Sequence, residues 1–237
     1  MVTDNAFNVV GAIKMLASSP NCAGWRHVHC FAHTLSLIVK GAIEKIPEFL
    51  AILLRARAIV TFFHHSHKAT TKLASLCKDR TTKALAQDVA TRWNSTLIMI
   101  RSLIDLKEFV QDALRSPVID RRDLDLNEFE WEILANAVEI LKPFDELTKD
   151  LSSQNYPSVS KVIPSIVLVT KWLNNINKNI YVDCLKQLLT FLITGLKERF
   201  EDSQKTCTHS TPHLIATYLD PKYESKLLLP RYLNLTY

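Results

Sequence analysis

Thr3-Asp4-Asn5-Ala6 and Cys30-Phe31-Ala32-His33 bracket the stretch, residues 3–39, whose reading decides the fold. Asp4 or Asn5 can cap a helix over residues 6–16, where Val9, Ile13 and Leu16 recur at helical spacing. Ser18-Ser19-Pro20-Asn21 stops it. Residues 25–31 read as a short strand. From Thr34 the stripe Leu35, Ile38, Val39, Ala42, Ile43 and Ile46 predicts an amphipathic helix with Ser36, Lys40 and Glu44 opposite. Strand end, helix, strand, helix is the beginning of an α/β layer. A carboxylate at a strand end, as Asp4 would be, stands where such layers place ligand or catalytic groups. A helix cap is the other reading of the same residue.

The rest of the chain does not continue the alternation. Pro47 opens a more uniformly apolar helix over about 48–63, and helical segments follow at about 68–78 and 80–88. Asn94 or Ser95 caps a long helix from Thr96 to Leu114. Asn127 and Glu130 have capping-box spacing and start another, which Pro143 should kink or divide. Two more helices fall at about 160–174 and 181–201, and residues 214–221 are ambiguous between helix and strand. The expected class is mainly α, an all-helical body from about residue 34 to 205.

Composition agrees. Four glycines in 237 residues are too few for the turns and bulges of a sandwich or barrel, while 47% hydrophobic content supplies a core. Five cysteines at scattered spacings give no disulfide framework. With no signal-peptide pattern at the start, the chain reads as one for a reducing compartment, and no apolar run is long enough to span a bilayer. The net charge of +5 conceals a pattern: residues 1–104 carry 13 Lys/Arg against 5 Asp/Glu, and residues 105–150 carry 6 against 13. One side facing a polyanion and one facing away is the functional reading; clustered solvated faces are the plain one.

Cys22, His27, His29, Cys30 and His33 are dense enough to raise zinc, but only Cys30 and His33 have a ligand-like interval, and a structural pair is the default. His64, His65 and His67 sit at a helix end, where imidazole suits the carbonyl dipole. Cys207, His209 and His213 look like half a zinc finger without its other half. Residues 64–93 hold Lys68, Lys72, Lys78, Arg80, Lys83 and Arg92 against Asp79 and Asp88, and end on Trp93. Cations followed by a large aromatic can grip a phosphate backbone and stack a base; a core tryptophan is the competing reading. No glycine-rich phosphate loop or nucleophile elbow occurs.

Three strings carry a resemblance: Thr3-Asp4-Asn5-Ala6-Phe7-Asn8, Cys30-Phe31-Ala32-His33-Thr34-Leu35-Ser36-Leu37 and Asp88-Val89-Ala90-Thr91-Arg92-Trp93-Asn94-Ser95-Thr96. With Leu141-Lys142-Pro143-Phe144 and Leu219-Asp220-Pro221-Lys222-Tyr223, they resemble, in order and approximate spacing, the hAT-superfamily DNA transposases and their domesticated relatives, the zinc finger BED domain-containing proteins. The resemblance implies an RNase H-like α/β core interrupted by a large all-helical insertion. It divides the chain into a partial core at 1–45, the insertion at 46–210 and the return to the core at 211–237. Asp4 matches the second of three acidic residues that hold two divalent metals. The first would precede Met1 and the third would lie past Tyr237. Cys30 and His33 match a Cys-x-x-His signature beside the active site that is not a zinc finger. Trp93 matches a tryptophan that stacks on an extruded base.

The expectation is therefore a transposase-derived, DNA-associated nuclear protein, catalytically inactive as this fragment. Its DNA-binding residues would be Lys68, Lys72, Lys78, Arg80, Lys83, Arg92 and Trp93, with a homo-oligomer as a further possibility and no membrane or small-molecule partner. No cofactor is expected for this chain. Mg or Mn enters only with a full triad in a longer product, and zinc only in an upstream BED finger. Two other readings stay open: the middle of an active cut-and-paste transposase, and a helical protein-interaction module without DNA binding.

Overall fold

A computed structural model of the chain describes residues 2–3, 7–19, 28–78, 83–89, 92–152, 159–176, 180–200 and 211–223. The described residues are mainly helical. Strand β1 (Val2–Thr3) pairs in parallel with β2 (Val28–His29), Val2 opposite Val28 and Thr3 opposite His29, and helix α1 (Phe7–Ala17) lies between them in sequence. The Cys30 N–H adds a hydrogen bond to the Thr3 carbonyl at 2.8 Å. Two parallel strands joined through a helix form a βαβ connection.

Helices α2 (Phe31–Glu44), α3 (Pro47–His65), α4 (His67–Cys77), α5 (Trp93–Asp105), α6 (Lys107–Arg115) and α7 (Glu128–Leu151) follow, then α8 (Val162–Ile176), α9 (Asp183–Phe200) and α10 (Thr211–Leu219). The chain divides into two compact units. One comprises 1–38, 143–178 and 191–237, the other 39–142 and 179–190. In the first, the rings of Phe31 and Phe200 meet at 5.4 Å. There α10 docks on the 3-10 turn Val159–Lys161, where buried Thr217 donates to the Ser160 carbonyl at 2.8 Å. In the second, Phe49, Ala56, Ile59 and Val60 of α3 are fully buried, as are Met99, Leu103 and Leu114 of α5 and α6.

Several expected boundaries move. Helix α2 starts at Phe31 and not Thr34, because the Cys30 carbonyl accepts both the Thr34 N–H and its hydroxyl at 3.0 Å and Phe31 is buried against Phe200. Of the strand expected over 25–31, β2 holds Val28 and His29; residues 25–27 lie outside the described residues. No helix forms over 83–88. The single helix expected from Thr96 to Leu114 is two, broken at buried Leu106, and its N-cap position is Arg92 and not Asn94 or Ser95. Pro143 lies inside a helix that runs unbroken from Glu128 to Leu151. Residues 214–219 resolve to helix. The capping box is present in full: Asn127 and Glu130 exchange side-chain and backbone hydrogen bonds at 2.9 Å each way.

Candidate nucleic-acid interface

Residues 83–89 carry few local reasons to be extended, and their backbone partners come instead from α5. The Ala86 N–H donates to Ser102 Oγ at 2.9 Å, and the Val89 N–H donates to Ser95 Oγ at 2.8 Å. The Ser95 hydroxyl lies within reach of the Val89 and Arg92 carbonyls, at 2.9 and 2.6 Å, and the Arg92 N–H closes onto the Val89 carbonyl at 2.8 Å. Side-chain hydroxyls thus satisfy backbone groups that a helix would have paired internally.

Asp88 is the strongest anchor of this strap. Its side chain is 2% exposed and receives Arg57 Nε at 3.0 Å from each oxygen and Nη2 at 2.6 Å. Thr96 Oγ1 donates to the same carboxylate at 3.1 Å. The Arg57 hydrogen bonds hold the Asp88 carboxyl below the usual carboxylate range against the opposing effect of burial, and Asp88 in turn raises Arg57. Neither the pair nor the serine contacts carry a local sequence signal, because Arg57 and Asp88 stand 31 positions apart.

The expected binding residues divide by their surroundings. On α4, Ala69, Leu73 and Cys77 form the buried stripe. Lys68 projects from the opposite face, Lys72 is half-buried on its flank, and Lys78 is exposed at the helix end. Arg92 is exposed at the head of α5. None of these four has an ion pair among the described residues. Lys83 is paired with Asp105 at 2.7 Å. Trp93 is 4% exposed, and its indole Nε1 has no hydrogen-bond partner among the described residues, so its ring is core and not a presented stacking platform. It borders a cavity of about 200 Å³ together with Lys40, Leu53, Arg57 and Thr96. Arg80 and Asp4 lie outside the described residues.

The cysteine and histidine candidates separate. Cys30 stands just before α2 and His33 in its first turn, both half-buried. His64 Nε2 meets the Leu85 carbonyl at 3.2 Å, and His67 Nδ1 meets Thr71 Oγ1 at 3.1 Å, so the imidazoles are committed to different neighbours. His213 is buried in α10 with Nδ1 unpartnered among the described residues, and burial pushes its pKa down. Cys22, His27, Cys207 and His209 lie outside the described residues. Among the described residues no three His, Cys, Asp or Glu side chains gather to hold a metal ion.

Asp125, Glu128 and Glu130 of the acidic middle are paired in place. Arg55 of α3 pairs with Glu130 and also donates to the Asp125 carbonyl at 2.7 Å. Arg115 holds the Asp125 carboxylate at 2.6 Å, and Lys107 holds Glu128 at 2.6 Å. Lys107, with Gln111 assisting, keeps Glu128 below its ordinary pKa. Lys107 also lies 5.6 Å from the ring of Trp131, whose Nε1, like that of Trp93, is buried without a partner among the described residues.

Residues 28–141 match the family model of the ZBED1 RNase-like helical domain, and the match ends one residue before the Lys142 boundary of the second unit's long segment. Zinc finger BED domain-containing protein 4 of Homo sapiens is 28% identical over 229 residues, 95% of this chain and 18% of that protein. The chain is similar in sequence to zinc finger BED domain-containing proteins and to hAT transposases. Protein 6 of the BED-containing group in Homo sapiens is 28% identical over 96% of this chain and 22% of its own length. The putative AC transposase of Zea mays is 29% identical over 88% of this chain and 25% of its own. The chain therefore spans about a fifth of the length of the BED-containing relatives. Among the described residues no helix is long and apolar enough to cross a membrane.

Proposed function

We propose that this chain is a DNA-contacting helical part of a transposase-derived nuclear protein, and that its role is binding and not strand cleavage. The observation that carries the reading is the contrast within the second unit. Lys68, Lys72, Lys78 and Arg92 have no ion pair among the described residues, while acids at 125–130 are tied to cations of α3 and α6. Unneutralised Lys and Arg side chains displace counterions from a phosphate backbone; paired ones do so at a cost. Lys83 contributes after leaving Asp105, and Arg80 belongs to the same basic run. Trp93, next to Arg92 in the chain, is buried, and base stacking would require the indole to leave its burial.

In this reading residues 1–45 and 211–237 belong to an RNase H-like core and 46–210 to its helical insertion. The parallel β1–β2 pair across α1 supports the core assignment. Asp4 is the acidic position carried over from the family resemblance.

Filter binding of a DNA hairpin and a single strand across a salt series tests the reading. Affinity should fall steeply with salt, and Lys68→Ala, Lys72→Ala and Lys78→Ala should each reduce the slope by about 0.7–0.9. Absence of binding at low salt, or slopes that ignore all three substitutions, rejects it. Mg²⁺-dependent cleavage by the chain itself would reject the restriction to binding, and light scattering of the same sample reports whether it self-associates.

A further inference from the structure

The geometry assigns Arg57 and Asp88, with Thr96, the role of a positioning clamp that presents Arg92 to a DNA phosphate. The inference rests on the DNA-contacting reading above and adds residues that do not themselves touch DNA.

Three features carry it. First, the contact is a planar fork on a carboxylate that is 2% exposed, with Thr96 Oγ1 on the same carboxylate, so Asp88 joins α3 to the first turn of α5. Second, Val89, next to Asp88, is held at both its N–H and its carbonyl by Ser95, and its carbonyl also takes the Arg92 N–H at 2.8 Å. Arg92 itself is held at its N–H by the Val89 carbonyl and at its carbonyl by the Ser95 hydroxyl at 2.6 Å. Third, α5 itself has no side-chain N-cap hydrogen bond at Arg92, so the start of the helix depends on these contacts and on buried Trp93. A long, rotamer-rich arginine gains affinity when its backbone is fixed before the ligand arrives. Asp88 and Arg57 neutralise each other, which leaves the Arg92 charge as the one offered outward from this turn among the described residues.

The full chain with a labelled DNA hairpin tests the clamp through Arg57→Lys, which keeps the charge but loses the fork. The expected result is a loss of about tenfold in affinity near 0.1 M salt and a salt slope lower by about 0.9, the signature of one lost phosphate contact. Arg92→Ala should give the same pair of changes, and Arg57→Lys combined with Arg92→Ala should be no worse than either alone, because the clamp acts through Arg92. A merely destabilised protein lowers the active fraction but leaves the slope intact. Thr96→Val is read in the same way should Arg57→Lys lose its cooperative thermal transition. Unchanged or increased affinity in a folded clamp variant, additive effects in the double variant, or loss of folding in both clamp variants overturns the clamp. If Arg92→Ala alone changes nothing while Lys68→Ala and Lys72→Ala weaken binding, the clamp fails and the DNA-contacting reading stands. If none of these changes binding, that reading fails first.

Discussion

Two charged regions of the second unit look like mirror images in sequence, the basic run at 64–93 and the acidic run at 105–131, yet they are built on opposite plans. In the acidic run Asp125, Glu128 and Glu130 each meet an arginine or lysine from α3 or α6, so their charge is consumed in joining helices. In the basic run Lys83 is spent in the same way, but the α4 lysines and Arg92 have no ion pair among the described residues. Segment net charge is therefore a poor guide to which surface meets a polyanion; what matters is whether each charge already has a partner. Each region also buries one tryptophan whose indole N–H has no partner among the described residues. Aromatic burial is what the two regions share, and charge pairing is what separates them.

The largest effects test the shared part. Trp93→Ala and Trp131→Ala should each cost about 3–5 kcal/mol in urea denaturation, the range for truncating a large buried aromatic. Arg92→Ala, one position from Trp93, should change stability by less than about 0.5 kcal/mol. Equal losses at Arg92 and Trp93 would break the division between core and contact residues. Next comes the one buried pair that belongs to the basic run. Asp88→Asn should cost about 2 kcal/mol, below the usual loss for a fully buried pair because Arg57 is 31% exposed. Asp88 has a folded pKa below its unfolded value of about 3.9, so its contribution is present above that pH and lost as pH falls through the folded value. His213, in the other unit, also has a lowered pKa, so its contribution is present above about pH 6.5 and declines as pH falls below it. A stability–pH profile should show both declines, with Asp88→Asn flattening the lower and His213→Gln the upper.

How much of this was legible follows from where each signal lives. The helical body, the Asn127–Glu130 box and the α2 stripe are local periodicities, and all three are present in the structure. The break at Leu106 was not legible, since the apolar spacing of 96–114 continues across it; a buried leucine marks the junction and no Gly or Pro does. Residues 83–88 have acceptable helical composition, but Ser102, Ser95 and Arg57 outcompete the helix for their polar groups. At the candidate site the cations were visible and their pairing was not. Arg57 falls within the apolar helix expected at about 48–63, and only the fold shows that Asp88 claims it. Trp93 admitted two readings, and its burial favours the core in this conformation.

Smaller effects sharpen the comparison on the acidic side. Asn127→Ala removes half the capping box of α7 and should cost about 1 kcal/mol by thermal denaturation. Arg55→Ala leaves Glu130 without its cation, yet this guanidinium is 44% exposed, so the loss should stay within about 1 kcal/mol. Neither change should reduce the salt slope of DNA binding if the acidic run only joins helices.

The smallest stability effect carries the most weight for function. Lys68 sits on α4 opposite the buried Ala69–Leu73–Cys77 stripe and has no ion pair among the described residues. Removing its side chain should therefore move stability by no more than about 0.5 kcal/mol. If the same substitution lowers the salt slope of hairpin binding by about 0.9, the lysine is spent on DNA and not on the fold. Charge reversal, Lys68→Glu, should weaken binding further while leaving the thermal transition in place, because an exposed helix position tolerates either charge and a phosphate does not. A Lys68→Glu protein that binds as the parent does would place α4 outside the contact surface and leave Arg92 to carry the DNA-contacting reading alone.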